Sequence, residues 1–145
     1  MSAYGQSISG QAEVIDGDTL IVAGERIRLM GIDAPERKQI CWDLVQQSYR
    51  CGEWVTVQLQ RGIGHSRVIC ELHGKDRYGR HLGRCRVGEH DLGFWLVQQG
   101  LAVTYRTEDR ELLAAERDAR RQRRGLWSGA FQQPSIWRKS RPGQP

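Results

Sequence analysis

No apolar run in this chain reaches the roughly 20 residues needed to cross a bilayer as a helix. No internal repeat and no low-complexity block is visible, which excludes a repeat array. The opening "MSAYGQSISG" lacks both the basic n-region and the apolar h-region of a secretory signal. Either the protein is cytosolic, or a signal has already been removed from it. The four cysteines, Cys41, Cys51, Cys70 and Cys85, form no C-x-x-C pair, which speaks against a structural zinc site.

What the chain does have is length and positive charge. Its 145 residues suit one domain with a core of its own. A net charge of +5 fits a polyanionic partner such as nucleic acid or an acidic membrane surface, and fits simple solubility equally well. The two ends, 1–10 and 138–145, read as flexible tails around a single domain over 11–137.

The even cysteine count allows two disulfides. "RVICELH" and "HLGRCRV" read as strands joined by the turn-rich "GKDRYGR". An antiparallel hairpin centred between Arg77 and Tyr78 sets Cys70 opposite Cys85, and opposed residues of such a pair lie about 4.5–5.5 Å apart. Cys41 and Cys51 then form the second pair, around "WDLVQQSYR". The alternative is four reduced thiols. Disulfides tilt the expected location toward the periplasm or secretion rather than the cytoplasm.

Along the chain, strands are expected from about Gln11 to Asp16, from Asp18 to Val22, and over "RIRLMGI", which "DAPERKQ" breaks with Pro35. In "VIDGDTLIV" the Asp-Gly turn accounts for Asp16 and Gly17. It does not account for Asp18, which stands where the returning strand begins. Residues 50–61 fit either a strand, through Val55, Val57 and Leu59, or a helix. Helices are expected over "HDLGFWLVQQG", with Asp91 as N-cap, and over "EDRELLAAERDARRQRRG" with a stripe of Leu112, Ala115 and Ala119. The arginines at the end of that helix suit the negative pole of its dipole better than a binding patch. Short Gly-punctuated strands with an intervening helix suit a small closed barrel, and an OB-fold is the simplest of these.

Asp18, Arg28 and Asp33 come from consecutive strands and can be neighbours, with Glu36 just after them and Arg80 closing "KDRYGR". Two carboxylates suit a hard cation such as Ca²⁺ or Mg²⁺. Two arginines suit a phosphodiester, and a third carboxylate is free to handle water. The bland alternative is ion pairing, Asp33 with Arg28 and Glu36 with Arg37.

"VIDGDT", "IRLMGIDAPE", "KDRYGR", "LVQQGLA" and "AERDARRQRRGLW" occur in the same order in the staphylococcal nuclease (thermonuclease) family, which the chain resembles from about Val14 to Trp127. The resemblance implies an α+β fold, a five-stranded OB-fold barrel with three α-helices, and makes 50–61 a helix. It implies Ca²⁺-dependent hydrolysis of DNA or RNA by a monomer. Asp18 and Asp33 match the metal-binding carboxylates, and Ala34 the residue that offers its main-chain carbonyl. Glu36 matches the general base or water-orienting residue, and Arg28 and Arg80 the phosphate-binding arginines. Arg77, Tyr78 and Tyr105 match substrate-side positions, with Arg77 standing where the family usually has lysine. The cysteines resemble a disulfide-bearing bacterial branch. The same fold also occurs as a non-catalytic module that binds nucleic acid or protein ligands, but such modules typically lose the carboxylates or arginines kept here.

Overall fold

The computed structural model describes residues 6–140. Three strands, β1 (Ser7–Gly10), β2 (Ala12–Asp16) and β3 (Thr19–Val22), open the chain, and β4 (Glu25–Leu29) and the short β5 (Ile32–Asp33) follow. Ala23 and Gly24 both have positive φ, the geometry of a tight hairpin turn, and so pair Val22 with Glu25 across β3–β4. A small ribbon of β6 (Cys41–Trp42) and β7 (Ser48–Tyr49) leads into α1 (Cys51–Ile63). The long hairpin β8 (Val68–Lys75) and β9 (His81–Val87) comes next, then β10 (His90–Asp91), α2 (Leu92–Gln98), β11 (Val103–Thr104) and α3 (Arg110–Gln122). A 3₁₀ turn over Gly125–Ser128 and a last helix, α4 (Pro134–Lys139), complete it.

The main sheet runs β1-β8-β9-β4-β3-β2, with β10 on β9, while β11 pairs with β5 separately. All its pairings are antiparallel except β4 with β9, where Ile27 faces His81 and Leu29 faces Gly83. The fold is α+β, as expected, but among the described residues it carries four α-helices rather than three. The main sheet is also larger than five strands, because β1 adds to the edge of β8 and β10 to β9.

Ser7–Gly10 finds free backbone partners along Glu71–Val68 and becomes β1. Arg138 and Lys139 lie in α4, which Pro134 starts at a first-turn position where its missing N–H costs nothing. Residues 1–5 and 141–145 of the expected tails lie outside the described residues.

Residues 50–61 resolve as helix, within α1. Val55, Leu59 and Ile63 recur at four-residue spacing on its buried face, whereas Val57 is 38% exposed, which a strand sharing one apolar face would not allow. The β8–β9 register sets Cys70 against Cys85, and the structure carries disulfides at Cys70–Cys85 and Cys41–Cys51. Asp91 and Asp109 cap α2 and α3 by accepting from backbone N–H groups of their first turns. Leu112, Ala115 and Ala119 are the buried stripe of α3. The arginines at its end are occupied locally: Arg121 and Arg124 pair with Asp118, and Arg120 lies over the Trp127 ring. Leu126 docks this end on the core by donating its N–H to the Gly100 carbonyl.

Candidate functional site

The β2–β3 turn aims Asp18 inward because Gly17 permits it. A Cβ at Gly17 would lie 2.6 Å from both the Ala34 and the Val55 side chains, so only glycine lets the turn press against α1 and the segment after β5. Asp18 is consequently buried, and its two oxygens are held: Oδ2 accepts from the Ala34 N–H at 2.9 Å and Oδ1 from the Thr19 hydroxyl at 3.1 Å. Its own N–H donates to Asp16 Oδ1 at 3.1 Å.

Arg28 lies on β4 and turns its guanidinium onto the chain just ahead. Nη1 donates to the Leu29 and Ile32 carbonyls at 2.8 and 2.9 Å, which fixes the plane of the group. Nη2 is then 3.3 Å from Asp33 Oδ1 and 3.7 Å from Asp18 Oδ2, so the two carboxylates face one point. Asp33 is 1% exposed. It sits on β5, whose partner β11 sets Val103 opposite it, and Glu116 of α3 braces β11 by accepting from the Thr104 N–H and hydroxyl at 2.6 and 2.9 Å.

Glu36 leaves the Pro35 turn. Its N–H donates to the side-chain oxygen of Gln39 at 3.2 Å, while the Gln39 amide nitrogen donates to the Gln132 carbonyl at 2.8 Å. Gln39 is fully buried, so both of its bonds count. Behind it, Gly52 at the start of α1 passes directly beneath the Glu36 carbonyl, and the Cys41–Cys51 disulfide anchors that helix start.

Arg138, from α4, is the group the sequence did not reveal. It donates from Nη1 and Nη2 to the two Asp33 oxygens at 3.0 Å each, and from Nη1 to Glu36 Oε1 at 2.7 Å. A six-residue helix after the "GLW" stretch has too short an apolar pattern to announce itself. Pro134 followed by Trp137 was the only available signal. The expected pairing of Asp33 with Arg28 is present, but Glu36 pairs with Arg138, and Arg37 instead donates to the Ile15 carbonyl.

The structure thus brings Asp18, Arg28, Asp33, Ala34 and Glu36 into one cluster. The others stand further out. Arg80 donates from Nε to Asp76 Oδ2 at 2.7 Å within the β8–β9 loop. That loop feeds β9 beside β4, where Leu82 faces Arg28. Tyr78 on the same loop is 69% exposed, with the Arg77 and Arg80 guanidinium groups over its ring. Tyr105 follows β11, donates its N–H to the Gly31 carbonyl and stacks with Arg106.

Burial pushes the Asp33 carboxyl above its ordinary value, an effect the Arg138 hydrogen bond opposes and the charge of Asp18 reinforces. Hydrogen bonds to Asp33, together with those to Glu36, hold Arg138 still more firmly protonated than usual despite its partial burial. Asp16 is pushed up to about 7, first by burial and then by the charge of Asp18. A carboxyl raised in the folded state binds its proton more tightly there than in the unfolded chain. Its contribution is therefore fully present below about pH 4 and is lost as pH rises to about 7. In buffer with chelator, Asp16→Asn should be more stable than the unsubstituted protein at pH 8. Near pH 3.5 it should have no advantage, and urea unfolding at the two pH values checks this.

The donor chemistry suits a hard cation, since Asp18 and Asp33 offer carboxylate oxygens that converge. Among the described residues, however, no group of three or more His, Cys, Asp or Glu side chains is arranged to hold a metal ion. The remaining ligands would have to be main-chain oxygen, water or substrate. None of the described helices is long and apolar enough to cross a membrane.

The succinoglycan biosynthesis protein ExoI of Rhizobium meliloti (strain 1021) is 42% identical over 125 residues, an alignment that covers 84% of this chain and 65% of that protein. An uncharacterized endonuclease of Escherichia coli O157:H7 is 36% identical over 133 residues, with 86% and 80% covered. The micrococcal nuclease of Shigella flexneri is 33% identical over 145 residues, with 88% and 78% covered. The family model described as "Staphylococcal nuclease homologue" matches residues 26–129, from the start of β4 to just past the 3₁₀ turn. On that match, and on relatives at this level of identity and coverage, the chain belongs to the staphylococcal nuclease homologue family.

Proposed function

We propose that the protein is a Ca²⁺-dependent nuclease that hydrolyses phosphodiester bonds of DNA or RNA as a monomer, in the periplasm or outside the cell. One observation carries this: Asp18 and Asp33 meet a fixed guanidinium, Arg28, and Glu36 is tied to the same Asp33 through Arg138, in a nuclease-family chain. The two disulfides favour an oxidising compartment. The scaffold we attribute to it is the family's OB barrel, with β2, β3, β4, β8 and β9 as its five principal strands.

Asp18, Asp33 and the Ala34 carbonyl would hold the ion, which supplies Lewis-acid polarisation of a phosphoryl oxygen. Arg28, already locked by the Leu29 and Ile32 carbonyls, needs no reorganisation to stabilise charge that grows on the phosphate. Arg80 exchanges Asp76 for a phosphate oxygen from the other side. Glu36, about one third exposed at its side chain, is reachable by water and accepts or guides its proton. Arg77, Tyr78 and Tyr105 contact the rest of the nucleotide. Plasmid DNA and single-stranded RNA should be cut in millimolar Ca²⁺ and left intact in excess chelator. Undiminished cutting in chelator would overturn the metal role.

A further inference from the structure

Arg138 claims both oxygens of Asp33 and one of Glu36. Asp18, the other carboxylate, already accepts from Ala34 and Thr19. A cation that ligates Asp33 must therefore compete with a guanidinium bound there by charge-assisted hydrogen bonds, the strong class of such bonds. The competitor is part of the chain and so acts at high local concentration. It comes from α4, which lies beyond the segment that the family model matches.

We propose that α4 is a latch on the acid cluster, in which Arg138 is a built-in counter-cation that a divalent ion has to displace, so that ion loading and α4 docking exclude one another. This rests on the metal site of the function proposed above. The helix is suited to release. It has six residues, Pro134 is its one buried residue, and Ile136 is 52% exposed. The chain on its N-terminal side is pinned, by the Gln39–Gln132 bond and by Ala130, which exchanges backbone bonds with Trp42. Release can therefore hinge after Gln132 and leave the barrel untouched. The latch also protects the apo protein, because it pairs Asp33, a buried carboxylate that would otherwise face only Arg28.

Calorimetric Ca²⁺ titration of the full chain and of Arg138→Ala, run beside hydrogen exchange of the α4 amides, tests this. Arg138→Ala should bind Ca²⁺ at least tenfold more tightly. In the unsubstituted protein, saturating Ca²⁺ should speed exchange at the Trp137 and Ser140 amides, which bond to Gln133 and Ile136 within the helix. The exchange measurement needs no variant and decides the matter even if Arg138→Ala folds poorly. Equal affinities with α4 still protected would overturn the latch and leave the metal site standing. Weaker binding by Arg138→Ala would overturn it by making Arg138 a support for the ion. No Ca²⁺ binding by either protein would overturn the latch and the metal site together.

Discussion

Gly52→Ala should cost about 3 kcal/mol of stability, the upper end of what overpacking a tight site does, and should disable the acid cluster as well. A Cβ at this position would lie 1.8 Å from the Glu36 carbonyl oxygen and 2.7 Å from that of Arg37. Both are backbone atoms and cannot swing aside as a side-chain tip can. Either α1 must retreat from the loop or the loop must lift from α1. The loop carries Glu36 and is tied to the core by Gln39, so lifting it moves a carboxylate of the cluster and strains a fully buried amide. Urea unfolding with the disulfides intact measures the loss. Gly10→Ala is the control: its Cβ would meet only Ala23 N, at an ordinary 3.7 Å, and stability should change by less than about 1 kcal/mol. Equal stabilities for the two variants would show that the loop yields freely.

Glu36→Gln should lower kcat by roughly 10²–10⁴, the range for lost general-base catalysis. Glutamine keeps the size of the side chain and an oxygen that can still accept from Arg138, so the fold and α4 should be nearly unaffected. Asp18→Ala should behave differently. It removes the acceptor for the Ala34 N–H and a ligand, so Ca²⁺ binding should disappear along with activity. Arg80→Ala should weaken both turnover and phosphate binding. An activity assay beside Ca²⁺ calorimetry separates these cases. A folded Glu36→Gln protein that cuts DNA at the unsubstituted rate would remove Glu36 from the chemistry.

What could be read from the sequence was local. The Cys70–Cys85 register follows from one turn and a period of two, and the cap at Asp91 from residue type and position. Asp18 stood out because a turn already explained its neighbours. Residues 50–61 were ambiguous because β-branched valines serve both periods, and the burial of one face decided it. What escaped was contact made at long range by single polar side chains. Gln39, Glu116 and Arg138 each reach an element remote in sequence, and no spacing rule connects them to it. Arg138 escaped for a second reason: its six-residue helix is too short to show the apolar stripe by which helices are recognised.

The seam between β4 and β9 bears on how the molecule is made. A parallel pair cannot be closed by a tight hairpin, and here Ile27 must wait for His81 before this seam can form. During synthesis β4 emerges with Arg28 long before its partner exists, so the half-finished chain has two acids and an arginine but not Arg80, which leads into β9. Such distant pairing charges its loop-closure entropy before returning any contact, which places refolding nearer the millisecond-to-second range than the microsecond range of local folds. The side of the molecule that Arg80 and β9 build is thus assembled late, and on the function proposed above a chain cut short before it should cut no nucleic acid.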